Sequence, residues 1–216
     1  MDQRAAVIIL AGGSGTRFGG PVNKVYRPFD GQPVLQWSLD TFAPLVGHLV
    51  VVARPDDADL LGPIVARFDV SLAEGGPTRT GSERAGLETL RSRIESGEVD
   101  LVAIHDGARP FVTASLTAEL IETARRVGGA VPGRATADQP DSGDGSAGYE
   151  LPGFGHVTVQ TPQAFRAREL LAAFDAAPGF EAADTVLVVV KHGRLDVALV
   201  ASDPANRKIT FPNDLA

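Results

Sequence analysis

Arg17, Lys24, Arg109 and Lys208 are cations able to hold a charged ligand, and Asp106 is a carboxylate placed to join them. Arg17 and Lys24 stand seven residues apart, just past Gly12-Gly13-Ser14-Gly15, which itself follows the apolar run Val7-Ile8-Ile9-Leu10. That order is a strand ending in a phosphate-cradling loop. Glycine lets the chain turn tightly and lets its N–H groups approach an anion without a Cβ clash. Neither familiar glycine fingerprint fits. Lys24 is flanked by Asn23 and Val25 rather than by Gly and Ser or Thr, and Phe18 stands where a dinucleotide loop needs its third glycine. The competing reading is a glycine turn without a ligand, and the two cations weigh against it.

Asp106 ends the run Leu101-Val102-Ala103-Ile104-His105, which reads as a buried strand. Ligands of open α/β sheets bind beyond the carboxyl ends of strands. An aspartate there, facing a phosphate loop, suits Mg²⁺, which takes one or two carboxylates together with phosphate oxygens and water. The competing reading is a local turn or ion pair with Arg109. His105 reads as structural, with no evident partner. Ser82 closes a second glycine-rich loop, 74–82, and opens a helix expected over 82–94. Orphan N–H groups there favour an anion or a base carbonyl, and a plain helix cap is the alternative. With no cysteine and no Gly-x-Ser-x-Gly turn, a nucleophilic triad is excluded. The set suits phosphoryl or nucleotidyl transfer, where catalysis is positioning and charge stabilisation.

The elements that must position these groups alternate. A helix begins near Pro33, a strand covers 48–53, and a helix spans 57–68 with a break near Gly62-Pro63. A weak strand at 70–73, the helix at 82–94, the strand at 101–105, a helix at 117–127 and a short strand at 130–132 follow. A helix covers 168–174, residues 185–191 fit either a helix face or a strand, and 194–200 reads as a strand. Lys208 is expected beside a short strand in the tail. Strands alternating with helices imply parallel βαβ units in three layers. Residues 133–156 change character, rich in Gly, Asp, Ser and Pro, and read as an arm too small to bury a core of its own. If ordered, the arm is expected to pack on another subunit.

At 216 residues and 44% hydrophobic, the chain suits one α/β domain with that appendage. A net charge of −7 argues against non-specific nucleic-acid binding. Zero cysteines exclude disulfides and thiolate metal sites. No signal-peptide core and no apolar run near the roughly 20 residues that span a bilayer are visible, so a soluble cytoplasmic protein is the expectation.

Five motifs in order then carry a resemblance. They are Ala11-Gly12-Gly13-Ser14-Gly15-Thr16-Arg17 with Lys24 and Tyr26; Gly75-Gly76 with Arg79, Ser82 and Ala85-Gly86-Leu87; His105-Asp106-Gly107-Ala108-Arg109-Pro110; Thr161-Pro162-Gln163; and Asn206, Lys208-Ile209-Thr210, Pro212 and Asp214-Leu215. The chain resembles the 2-C-methyl-D-erythritol 4-phosphate cytidylyltransferase family and its pentitol-phosphate relatives almost end to end. The resemblance implies a three-layer α/β/α Rossmann-like nucleotidyltransferase fold with a mostly parallel sheet and a protruding β-arm. It implies one domain over 1–216, with 133–156 as a dimerisation element of a homodimer. It implies transfer of the cytidylyl group of CTP to 2-C-methyl-D-erythritol 4-phosphate with release of pyrophosphate, Mg²⁺ as cofactor, and a place in non-mevalonate isoprenoid synthesis.

Residue by residue, it gives Ala11, Gly12, Gly13, Gly15, Gly76 and Ser82 to the nucleotide. It gives Arg17, Lys24 and Lys208 to the phosphates and the transition state. Asp106, Arg109, Thr136 and Thr161 go to the acceptor, with Asp106 also on the metal. By the same alignment Gly153 stands where the family carries an acceptor-binding arginine, and Ala183 where it carries a threonine. Ribitol 5-phosphate or another polyol phosphate as acceptor, or an inactive nucleotide-binding homologue, are the alternatives.

Overall fold

The structure, a computed structural model, describes residues 1–13, 18, 22–135 and 147–215. Its organising strand, β1 (Asp2–Leu10), sends Ala5, Val7 and Ile9 into one apolar layer and Ala6 and Ile8 into the other, all fully buried. Period-two alternation with both sets apolar is what a strand covered on both faces requires.

A two-residue hairpin, β2 (Pro28–Phe29) and β3 (Gln32–Pro33), leads into α1 (Val34–Phe42). Then come β4 (Val46–Ala53), α2 (Ala58–Val65), β5 (Ser71–Glu74), α3 (Arg79–Ser96) and β6 (Leu101–Asp106). The second half runs α4 (Ala114–Val127), β7 (Gly128–Ala135), β8 (Ala147–Leu151), β9 (Gly155–Val159), β10 (Gln163–Arg166), α5 (Ala167–Asp175), α6 (Thr185–His192) and β11 (Asp196–Ala201). The main sheet has the order β5-β4-β1-β6-β10-β7-β9-β8, with β11 also on β7. The first four strands are mutually parallel, as is β11 on β7, while β10 and the β8–β9 hairpin pair antiparallel.

The helices divide between the two faces. Leu35, Leu39 and Phe42 of α1, Leu61 and Ile64 of α2, and Leu116 and Leu120 of α4 pack on one side. Leu87, Leu90 and Ile94 of α3, Leu170 and Phe174 of α5, and Val186 and Val189 of α6 pack on the other. Each such side chain, fully buried, contributes about 1.5–3 kcal/mol of transfer free energy. The described part of the arm joins this core: Leu151 and Val157 are buried in the second layer, and β9 pairs with β7.

Three expectations are corrected, and one left open is settled. The helix near Gly62-Pro63 does not break; α2 runs through with Pro63 inside it, forgoing one intrahelical hydrogen bond in return for burying Leu61, Ile64 and Val65 together. α3 begins at Arg79 rather than Ser82, because the Thr78 side chain accepts from Gly81 N–H and is the cap. No strand accompanies Lys208; the segment is extended coil pinned by Ile209 N–H on Ala108 O at 2.8 Å. Residues 185–191, open between two states, are helical.

Candidate active site

β1, β4, β5 and β6 end level with one another. Leu10 pairs with Val52 on one side and Asp106 on the other, and Ala53 pairs with Glu74. The segments leaving these four strands line a cleft of about 530 Å³. Gly12 and Gly13 come from β1, Arg54 from β4, Gly76 and Thr78 from β5, and Asp106 and Ala108 from β6. Lys24 and Lys208 add two cations to the wall.

On the first wall Ala11 is buried, and its N–H donates to Val52 O at 2.7 Å. The Asn23 amide donates to Ala11 O at 2.7 Å and accepts from Val25 N–H at 3.3 Å. This buried amide fastens the 3-10 turn Lys24–Tyr26 to the strand end and so sets Lys24 beside the cleft. Gly15 and Arg17, expected here, lie outside the described residues.

On the second wall the Ser82 hydroxyl donates to Thr78 O at 3.0 Å, bracing the loop over the first turn of α3. Gly76 admits no side chain, since a Cβ there would lie 2.8 Å from the Gly81 carbonyl carbon. Backbone therefore approaches backbone at this rim.

Asp106 is the one carboxylate among the lining residues and is almost fully buried. Lys208 Nζ lies 2.6 Å from its Oδ2, and Arg79 Nη1 donates to its Oδ1. Burial opposes the Asp106 charge, but Arg79, Lys208 and Arg109 outweigh it and hold the carboxyl well below the usual range. The Asp106 N–H donates to Thr161 Oγ1 at 3.0 Å, and that hydroxyl lies 3.3 Å from His105 Nδ1. His105 thus has partners after all, with Ser38 Oγ 3.2 Å from its Nε2. Burial pushes its imidazole down to about 3, so the ring is neutral at physiological pH.

Thr161 is buried behind Asp106 rather than in the cleft wall. Arg109 is also buried, and its Nη1 donates to Asn206 O at 2.8 Å. Asn206 in turn donates to Thr161 O at 2.9 Å, so both residues hold the tail that carries Lys208. Thr136 lies outside the described residues. Ala183 lines the cleft, and Gly153 sits exposed in the β8–β9 turn at φ +82°.

Sequence reasoning gave no site role to Arg79, Glu83 or Asn23. Arg79 and Glu83 are an i,i+4 pair of opposite charge, and that spacing was the available signal. Asn23 offered none, because its partner is a backbone carbonyl twelve residues away. Among the described residues no group of three or more His, Cys, Asp or Glu is arranged to hold a metal, and no helix is long and apolar enough to cross a membrane.

With this geometry in hand, comparison with known proteins is direct. The model of the family described as 2-C-methyl-D-erythritol 4-phosphate cytidylyltransferase matches residues 5–216. The chain is 41% identical over 212 residues to the bifunctional enzyme IspD/IspF of Rhodobacter capsulatus, covering 98% of this chain and 54% of that protein. It is 40% identical over 217 residues to the 2-C-methyl-D-erythritol 4-phosphate cytidylyltransferase of Cereibacter sphaeroides, covering 98% and 93%. This chain thus spans about half the length of the bifunctional relatives it matches. Among solved structures, the cytidylyltransferase of that name from Thermus thermophilus superposes with a TM-score of 0.71 at 30% identity, covering 100% of this chain and 96% of that one. The 4-diphosphocytidyl-2C-methyl-D-erythritol synthase of Anaerococcus prevotii superposes with a TM-score of 0.77 at 24% identity, covering 99% and 95%, a likeness of fold. The chain belongs to the 2-C-methyl-D-erythritol 4-phosphate cytidylyltransferase family.

Proposed function

We propose that the chain transfers the cytidylyl group of CTP to 2-C-methyl-D-erythritol 4-phosphate, giving 4-diphosphocytidyl-2-C-methyl-D-erythritol and pyrophosphate. The observation that carries this reading is the cleft at the strand ends, where backbone glycines face two lysines and a single paired carboxylate. An oxygen of the acceptor phosphate attacks the α-phosphorus of CTP, the bond to the β-phosphate oxygen breaks, and pyrophosphate leaves. A phosphate monoester loses its second proton near pH 6, so the nucleophile is ionised at pH 7 and needs no protein base.

Ala11, Gly12, Gly13, Gly15, Gly76 and Ser82 take the nucleotide in this reading. Lys24 and Arg17 hold its phosphates, and Lys208 turns to the reacting phosphate, supplying charge where it builds up. Arg109 and Thr161 serve the acceptor side by holding Asp106 and the Lys208 segment, and Thr136 is proposed to reach the acceptor directly. For Mg²⁺, the donor set fits an ion carried by the nucleotide and touched by one protein carboxylate, Asp106, since magnesium accepts such a mixed shell. When bound, the ion would neutralise triphosphate charge and assist departure of pyrophosphate.

A homodimer built through 133–156, with the whole chain 1–216 as one nucleotidyltransferase domain, and a cytoplasmic setting belong to the same proposal. A pyrophosphate-release assay with CTP, Mg²⁺ and a panel of polyol phosphates tests the activity, and sedimentation of a chain lacking 137–146 tests the dimer. Turnover of methylerythritol phosphate is expected. Turnover of ribitol phosphate without it would overturn the reading, as an unchanged dimer would overturn the role of the arm.

A further inference from the structure

The two oxygens of Asp106 are shared between two cations that are held in different ways. Lys208 has Asp106 as its one side-chain partner among the described residues. Arg79 is fastened at both ends. Its Nη1 donates to Asp106, and its Nε lies 2.9 Å from Oε1 of Glu83, one helical turn along α3. Glu83 is fully buried, and its Oε1 also accepts the Thr185 hydroxyl of α6 at 2.8 Å. Neither Glu83 nor Thr185 lines the cleft. The planar guanidinium is pre-shaped to span two carboxylates, whereas an ammonium on a flexible stem makes point contacts and turns easily.

A cation that serves a phosphate has to leave its resting partner. Lys208 is held at one point; Arg79, which also lines the cleft, is held at two, by Asp106 and by Glu83. Once Lys208 turned to a phosphate, Arg79 would be the side chain still paired with the buried Asp106 carboxylate, and losing that pair as well would be strongly unfavourable. We propose that Arg79 is a positioning residue, held by Glu83, that keeps the Asp106 carboxylate in place while Lys208 moves onto the reacting phosphate. This rests on the cytidylyl-transfer reading above, and it assigns to the Thr185–Glu83–Arg79 chain the function of positioning Asp106.

The test is steady-state kinetics of wild type, Glu83→Gln, Arg79→Lys, Arg79→Gln, Asp106→Asn and the double variant Arg79→Gln/Asp106→Asn, with thermal unfolding alongside. Wild-type turnover with CTP judges the functional reading. The variants, compared with wild type on whichever polyol phosphate it accepts, judge the inference. Glu83→Gln is expected to lower kcat about tenfold and raise KM for the acceptor, while KM for CTP stays within about twofold, as loss of the carboxylate paired with Arg79 behind an active group does. Arg79→Lys should recover part of what Arg79→Gln loses. The losses from Arg79→Gln and Asp106→Asn should not add, since one acts through the other. Additive losses, a rise confined to KM for CTP, or wild-type kcat in Glu83→Gln would each overturn the proposal. Should Arg79→Gln fail to fold, Glu83→Gln and Arg79→Lys decide the matter by the same criteria.

Discussion

The two rims of the cleft are built by different means. The rim at the ends of β1, β4 and β5 is mainly backbone: Gly12, Gly13 and Gly76 line it, and the Gly76 loop lies against Gly81 too closely for any side chain. The rim around Asp106 is made of side chains brought from afar. Lys208 reaches Asp106 across 102 positions, Thr185 reaches Glu83 across the same separation, and Thr161 reaches the Asp106 N–H across 55. The first rim is a shape set by backbone hydrogen bonds at the strand ends. The second is a charge arrangement that exists only when the sheet is complete. In the proposed reaction the first rim takes the nucleotide and the second supplies charge at the reacting phosphate.

The sharpest test of that contrast removes one cation from each rim. Lys24→Ala and Lys208→Ala are each expected to lower turnover by about two to three decades, the scale of losing one oriented transition-state donor. They should differ in stability. Lys208→Ala leaves Asp106 with Arg79 and not Lys208, and its unfolding temperature should fall further than that of Lys24→Ala in a thermal melt. Equal melting temperatures would break the distinction. A smaller effect is expected from Gly76→Ala. The new Cβ would meet Gly81 backbone at 2.8 Å, so the loop must move, and KM for CTP should rise about tenfold, an overpacking cost of the usual size. A change confined to the acceptor's KM would place the base elsewhere.

The smallest effect is on stability against pH. Burial pushes the Glu83 carboxyl from its ordinary 4.5 up to about 7, against the pull of Arg79. Between those values the folded chain holds a proton that the unfolded chain has released, so stability falls as pH rises through that window. Glu83→Gln lacks this dependence, and its melting temperature should gain on wild type from pH 4.5 to 7. His105 works in the other direction, losing stability as pH falls from about 6.5 toward 3, but it is common to both proteins and cancels in the difference. A constant difference across the range would mean that Arg79 and Thr185 keep Glu83 ionised throughout.

Much of the fold was legible because it rests on local chemistry. The apolar run 7–10 could only be a buried strand, Gly128 stops α4 as its C-cap, and Asp106 falls at the end of β6 because the apolar stretch ends there. Where the reading failed, a distant contact had outweighed a local preference. Pro63 is a helix breaker by propensity, yet α2 continues past it because Leu61, Ile64 and Val65 gain a core. His105 finds Ser38 and Thr161 only after α1 and the turn before β10 close over it.

By itself the sequence determined the layered α/β architecture and the strand ends where Asp106 and the first glycines fall, since periodicity and backbone freedom are properties of a few consecutive residues. The tertiary structure decided which charges meet. It gave Asp106 to both Arg79 and Lys208, drew Arg109 inward to Asn206, and buried Glu83 against Thr185. The strength of a pair of charges depends on their separation and on the water excluded around them, and neither is defined until segments far apart in the chain are in place.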